Sequence, residues 1–257
     1  METNNLRKFQ LTLLEVLLML ADFLKENNIP WFLIGGCALG AVRHNGFIPW
    51  DDDIDIGMMR KDFERFEALD FAPLLKHKLL YCPIGKNVIQ NAPIGFLYDR
   101  RDESIGYTEC PTIDIFPIDY VPDSNFKRCI QQISSLIYHL STSRLAAKNR
   151  GKLSYVFTKA IVTLTPPALF RLYARLAKKI MLGVEKNQTA YVCNIFGMLR
   201  YRREIIKASY IKNTILHEFE GYSLPIPAEY HDYLTSIYGD YMKLPPPEQQ
   251  VPHHKEF

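Results

Sequence analysis

The stretch Ile48-Pro49-Trp50-Asp51-Asp52-Asp53-Ile54-Asp55-Ile56-Gly57 packs four carboxylates into five positions, with an isoleucine between the last two. A strand over 53–56 would send Asp53 and Asp55 to one face and Ile54 and Ile56 to the other. One face is then core. The other offers two carboxylates roughly 6–7 Å apart along the strand, a donor set that suits hard divalent cations. Asp51 and Asp52 read two ways: as a turn whose side chains catch nearby backbone N–H groups, or as groups that orient water or a basic neighbour around the ion.

Upstream, Gly35-Gly36 stands at the end of a short apolar run and before a helical one. Glycine lets backbone approach a phosphate closely, and N–H groups at a helix start attract anions. A Gly-Gly by itself is equally a tight turn. It gains meaning from the acidic strand that follows, because strand, Gly-Gly, helix and Asp-x-Asp strand make a compact active-site layout. The layout matches neither a dinucleotide-binding Gly-x-Gly-x-x-Gly nor a Gly-Lys-Ser/Thr phosphate loop. Arg43 and His44 follow closely enough to reach a phosphate, Arg43 with a bidentate fork. Solvent exposure of Arg43 and a turn-bonding role for His44 are the plainer readings. Trp50 is either core or a surface for a base or a quaternary ammonium.

Asp114, in Thr112-Ile113-Asp114-Ile115-Phe116, repeats the pattern of an acid flanked by apolar residues. Asp53, Asp55 and Asp114 are the candidate catalytic and metal-holding acids. Around magnesium, as two ions and with manganese as the substitute, three carboxylates would allow in-line displacement at phosphorus. Asp119 is the rival third acid, expected in a loop because Pro117 should close the strand. Massing acids without a cation is costly, which argues against a purely binding role. The seven histidines, including the tail pair His253-His254, form no zinc pattern.

Several elements must position these residues. Leu13, Leu14, Leu17, Leu18, Ala21 and Leu24 give a helical apolar stripe over 6–27, ended by Asn28-Ile29-Pro30. Trp31–Ile34 reads as a buried strand, 37–44 as a short helix, Asn45-Gly46 as a turn and Lys61–Leu69 as a charged helix. Leu79–Cys82, Ile94–Tyr98 and Thr112–Phe116 read as further strands. From Phe126 the chain turns helical and basic, is broken at Pro166-Pro167, and continues as an amphipathic helix over Phe170–Leu182. The aromatic and proline-rich C-terminal part does not read as one regular element. The expected organisation is a catalytic core over 1–125, a basic helical region over 126–212, and a segment over 213–257 that packs on the core and completes the site.

The chain has 257 residues, 47% hydrophobic and 23% charged, an ordinary globular composition. Five scattered cysteines in no pairing pattern point to reduced thiols and a cytoplasmic protein. No apolar run reads as a signal peptide or a membrane span. The net charge of +3 conceals a division: residues 126–212 hold 17 Lys/Arg and 2 Asp/Glu. Such a segment should face an anion, either a membrane surface at the cytoplasmic face or a phosphate-bearing substrate, unless it is merely a solvated helical surface. It contains no nucleic-acid-binding module, so nucleic acid is not an expected partner.

The run from Phe32 to Gly57 resembles the signature of the LicD phosphotransferase family. Ile113-Asp114-Ile115-Phe116-Pro117-Ile118-Asp119 is similar to its second block. Phe219-Glu220-Gly221, with Tyr238-Gly239-Asp240-Tyr241-Met242 and Leu244-Pro245-Pro246, is similar to its third. The resemblance implies an α+β, nucleotidyltransferase-like fold: a small mixed sheet flanked by helices, here with an added helical region. It implies transfer of phosphocholine, or of a polyol phosphate such as ribitol phosphate, from a CDP-linked donor to a sugar hydroxyl of a surface-glycan precursor, which would be lipid-linked for a membrane-held enzyme. Under it, Asp53 and Asp55 are the paired metal ligands, Asp114 a third ligand and base, and Gly35-Gly36 the phosphate-cradling turn. The alternatives are a nucleotidyltransferase that releases pyrophosphate and a non-catalytic nucleotide- or glycan-binding protein.

Overall fold

The computed structural model describes residues 2–84, 94–143, 159, 163, 165–184, 187–195 and 205–252. The His253-His254 pair and most of the stretch from 144 to 164 lie outside these. Two compact units divide the chain, one of Met1–Pro83, Ile94–Ile118 and Ile206–Phe257, the other of Ile84–Pro93 and Asp119–Ile205.

The first unit opens with a long helix, α1 (Glu2–Glu26), whose Leu13, Val16, Leu17, Leu20 and Leu24 are fully buried. Then come β1 (Phe32–Leu33), α2 (Gly35–His44), β2 (Ile54–Met59), α3 (Arg60–Glu67), α4 (Ala72–Lys76), β3 (Leu79–Cys82) and β4 (Gly95–Asp99). The first seven residues of β5 (Thr112–Val121) complete the sheet, in the order β1-β2-β5-β4-β3. β2 and β5 run parallel, and the other pairs are antiparallel. This mixed sheet flanked by helices is the α+β fold expected from the sequence.

Three local details differ from expectation. The acidic strand starts at Ile54 rather than Asp53, so Asp53 sits on the approach to β2 and outside the strand's alternation. Pro117 does not close β5. The β4 ladder ends at Ile115, opposite Gly95, so on that side Pro117 withholds no donor from a partner. Asp119 consequently belongs to β5 rather than to a loop. The C-terminal aromatics, unassigned above, form a hairpin of β8 (Thr214–Phe219) and β9 (Tyr222–Pro227) followed by a helix, α8 (Tyr230–Tyr238). In the sequence β7 (Ile206–Lys207) and the short α7 (Ala208–Ile211) precede them. The hairpin turns on Glu220 and Gly221, both at positive φ (55° and 81°), as a two-residue type I′ connection requires.

In the second unit, α5 (Asn125–Ser143) packs against α6 (Pro167–Gly183), and the end of β5 pairs with β6 (Tyr191–Cys193). Val121, Tyr138, Ala177, Met181 and Cys193 form their shared core. Pro167 opens α6 rather than merely breaking the chain, since a proline at the first helical position lacks only an N–H that would be unsatisfied there anyway.

Candidate active site

The sheet register brings the acids together. Asp55 on β2 lies directly opposite Asp114 on β5 in the parallel ladder. Paired residues of neighbouring strands share a face, so the two carboxylates stand side by side about one strand spacing, ~4.8 Å, apart at their backbones. Ile54, Ile56, Ile113 and Ile115, on the opposite face, are fully buried. Burial pushes the Asp55 carboxyl well above its ordinary value, reinforced by the charges of Asp53, Asp114 and Asp51. Strand alternation turns Asp119 to the other face of β5 from Asp114.

The start of α2 closes over these acids. Gly35 has φ +54°, and a Cβ there would lie 3.3 Å from an Asp55 carboxylate oxygen. A Cβ on Gly36 would come within 2.8 Å of an Asp51 oxygen. The two glycines therefore serve approach to carboxylates as well as the turn itself. Beneath them, the Asp55 N–H donates to Cys37 Sγ at 3.2 Å, and the Ile34 N–H donates to the Asp55 carbonyl at 3.2 Å. Burial and the adjacent acids raise the Cys37 thiol well above its usual range, so it stays protonated. Gln10 of α1 donates to the carbonyls of Ile48 (3.2 Å) and Asp51 (2.8 Å), tying the acidic loop to the long helix.

Two tyrosines of α8 enter the site; Tyr238 belongs to the third block of the family resemblance, whereas sequence reasoning did not single out Tyr233. Tyr233 Oη accepts the Gly35 N–H at 3.0 Å, so that helix-start donor is engaged by a side chain. Tyr238 Oη lies 3.8 Å from the Cβ position of Gly35. Burial, then the nearby Tyr233 and Asp55, push its phenol far up, so it remains a hydrogen-bond donor. The only sequence signal for Tyr233 was the clustering of C-terminal aromatics.

Arg43 donates to the Tyr241 carbonyl at 2.9 Å and lies within electrostatic reach of Tyr238 and Asp51. His44 stands at the far end of α2, about 13 Å from Gly35 along the helix axis. Its neighbours are Arg43 (3.0 Å) and the edge of Trp50 (6.4 Å between ring centroids). Burial and then Arg43 lower its pKa, which leaves the ring neutral at pH 7. The structure thus gathers Gly35, Gly36, Asp51, Asp53, Asp55 and Asp114, with Arg43 at their margin, and sets His44 and Trp50 together at the other end of α2.

Among the described residues, no three His, Cys, Asp or Glu side chains come close enough to hold an ion unaided. The donor chemistry still fits magnesium, which is commonly held by one or two carboxylates plus substrate phosphates rather than by an all-protein cage. A buried carboxylate crowded by three others is also where a cation relieves the most charge.

A mixed sheet that presents adjacent carboxylates beside a glycine-started helix is a nucleotidyltransferase-like architecture. Residues 28–129 match the family model described as LicD/FKTN/FKRP, nucleotidyltransferase domain. The chain is 30% identical to the lipopolysaccharide cholinephosphotransferase LicD of Haemophilus influenzae, over 99% of this chain and 97% of that protein. It is 33% identical to the ribitol-5-phosphate transferase FKTN of Mus musculus over 34% of this chain and 21% of that protein. Against the human ribitol 5-phosphate transferase FKRP it is 41% identical over 18% of this chain and 9% of that protein. The chain belongs to the LicD family. Membership carries catalysis of the nucleotidyltransferase or phosphotransferase type and, in general, dependence on a metal ion.

Proposed function

We propose that the protein transfers phosphocholine, or a related alcohol phosphate, from a CDP-linked donor to a sugar hydroxyl of a cell-surface glycan precursor, releasing CMP. The observation that carries this reading is the end-to-end likeness to a cholinephosphotransferase, which takes in both acid-bearing strands. In the reaction the acceptor oxygen forms a bond to the phosphorus that bears the alcohol. The bond from that phosphorus to the bridging oxygen breaks, and CMP leaves with the electron pair. Asp114 is the proposed proton acceptor for the sugar hydroxyl. Asp55 and Asp114, with Asp53 beside them, would hold magnesium, which when bound neutralises the diphosphate and acidifies the acceptor hydroxyl. Arg43 and the Gly36 N–H at the start of α2 would bind the donor's phosphates. Tyr238, fixed as a donor by its raised pKa, would orient a phosphate oxygen.

The test is incubation with CDP-choline, CDP-ethanolamine, CDP-ribitol and CDP-glycerol, and in parallel with nucleoside triphosphates, with magnesium and a panel of glycan acceptors, with CMP and pyrophosphate followed by mass spectrometry. Acceptor-dependent CMP from one donor identifies the reaction and the head group together. Pyrophosphate and a nucleotidylated acceptor, formed from a nucleoside triphosphate, would replace this reading by nucleotidyl transfer.

A further inference from the structure

In the second unit, α6 carries more apolar surface than its packing uses. One face is core: Phe170, Ala177 and Met181 are buried. At about 100° per residue, Leu169, Leu172, Tyr173, Leu176 and Ile180 fall on a second stripe, roughly a third of a turn away. Leu172, Leu176 and Ile180 are 46%, 49% and 48% exposed. The third side of the helix holds Arg171, Arg175 and Lys178, and Lys179 borders the stripe. The helix contains no acid. Its partner α5 repeats the arrangement, with Phe126, Ile133 and Ile137 at helical spacing and 75%, 51% and 42% exposed.

We infer that the exposed stripe of α6, with its basic border, docks on an anionic phospholipid bilayer. Charge alone left two anionic partners open, a membrane or a phosphate-bearing substrate. The apolar stripe decides between them. A soluble phosphate has no use for a row of half-exposed leucines, whereas a bilayer interface takes the leucines into its acyl boundary and the cations at its headgroups. A second copy of the chain fits poorly, because two acid-free, four-cation helices would repel each other on approach. Among the described residues no helix is long and apolar enough to cross the membrane, so this helix would lie along it. The inference does not depend on which group the enzyme transfers.

The test is flotation of the full chain with vesicles of phosphatidylcholine alone or mixed with phosphatidylglycerol, at low and at high salt. Wild-type protein should float with the anionic vesicles about tenfold more than with neutral ones, and salt should reduce the excess. The pair Leu172→Glu/Leu176→Glu should cut flotation about tenfold or more, with the far-UV circular dichroism spectrum unchanged. Arg175→Gln/Lys179→Gln should remove the anionic preference. Equal flotation with both vesicle types, or wild-type flotation by the leucine pair, overturns the inference. So does loss of a dimer, seen by sedimentation, as that pair's only effect.

Discussion

Under the proposed reaction, Asp55 serves function against stability. Its carboxyl is buried among other acids, and its raised pKa means that ionisation at neutral pH costs folding energy. Asp55→Asn should therefore raise Tm in chelator by a few degrees, about 1 kcal/mol or more. The same change should abolish the Tm rise that magnesium gives the wild type and lower CMP release about a thousandfold, equivalent to about 4 kcal/mol. Differential scanning fluorimetry and a single-turnover assay read the two effects. An unchanged magnesium response would remove Asp55 from the ligand set. Tyr238→Phe is a milder change. Deleting one neutral donor should cost about 1 kcal/mol, or about fivefold, in kcat/KM for the donor while Tm stays near that of the wild type. Asp55, backed by buried isoleucines, was legible from strand alternation, whereas its expected strand-mate Asp53 lies outside β2 and the residue opposite it is Asp114. Tyr233 was not legible, because nothing local distinguishes it from the other C-terminal tyrosines, and Tyr238 was marked only by the family resemblance.

At the scale of elements, the start of α2 and the β8–β9 turn hold the site's frame. Gly35→Ala combines a left-handed φ of 54° with a close approach to Asp55. It should destabilise by about 1–2 kcal/mol and reduce turnover, measured by chemical denaturation and CMP release. The hairpin turn works from a distance. Glu220 accepts the Phe47 N–H at 3.0 Å and pairs with Arg7 of α1, clamping the loop that precedes the acids. The hydrogen bonds from Arg7 lower the Glu220 pKa against the opposing cost of burial, and the Phe47 N–H lowers it further. A depressed carboxylate stabilises above its unfolded value, about 4.3, and the benefit is lost as pH falls through the lower folded value. Glu220→Gln should thus cost about 1 kcal/mol at pH 7, limited by the exposure of Arg7. The Tm curves of variant and wild type should converge below about pH 4. The turn was readable in principle from Glu-Gly between two short runs. Pro225 and Pro227 masked it, since prolines argue against a strand except where an edge is free.

Over the whole molecule, a net charge of +3 hides the basic segment. Opposite charges concentrated apart do not cancel at a surface within a Debye length. The protein should therefore be retained on a cation exchanger at about half a pH unit above its sequence pI of about 8.5. Flow-through would indicate that the charges are intermixed. The sequence alone determined this charge division, the helical stripe of α1, the alternation that separates Ile54 and Ile56 from Asp55, and the family. These follow from residue type and short spacing, which set periodicity, local propensity and net charge. Tertiary structure decided which acids meet. Asp55 faces Asp114 only because β2 and β5 pair in parallel at one register. Pro117 is tolerated only because β4 has already ended. Gly35 and Tyr233 are 198 residues apart, and Arg7 and Glu220 are 213 apart. Contacts at such separation are selected by burial and register across the whole fold, and no local pattern encodes them.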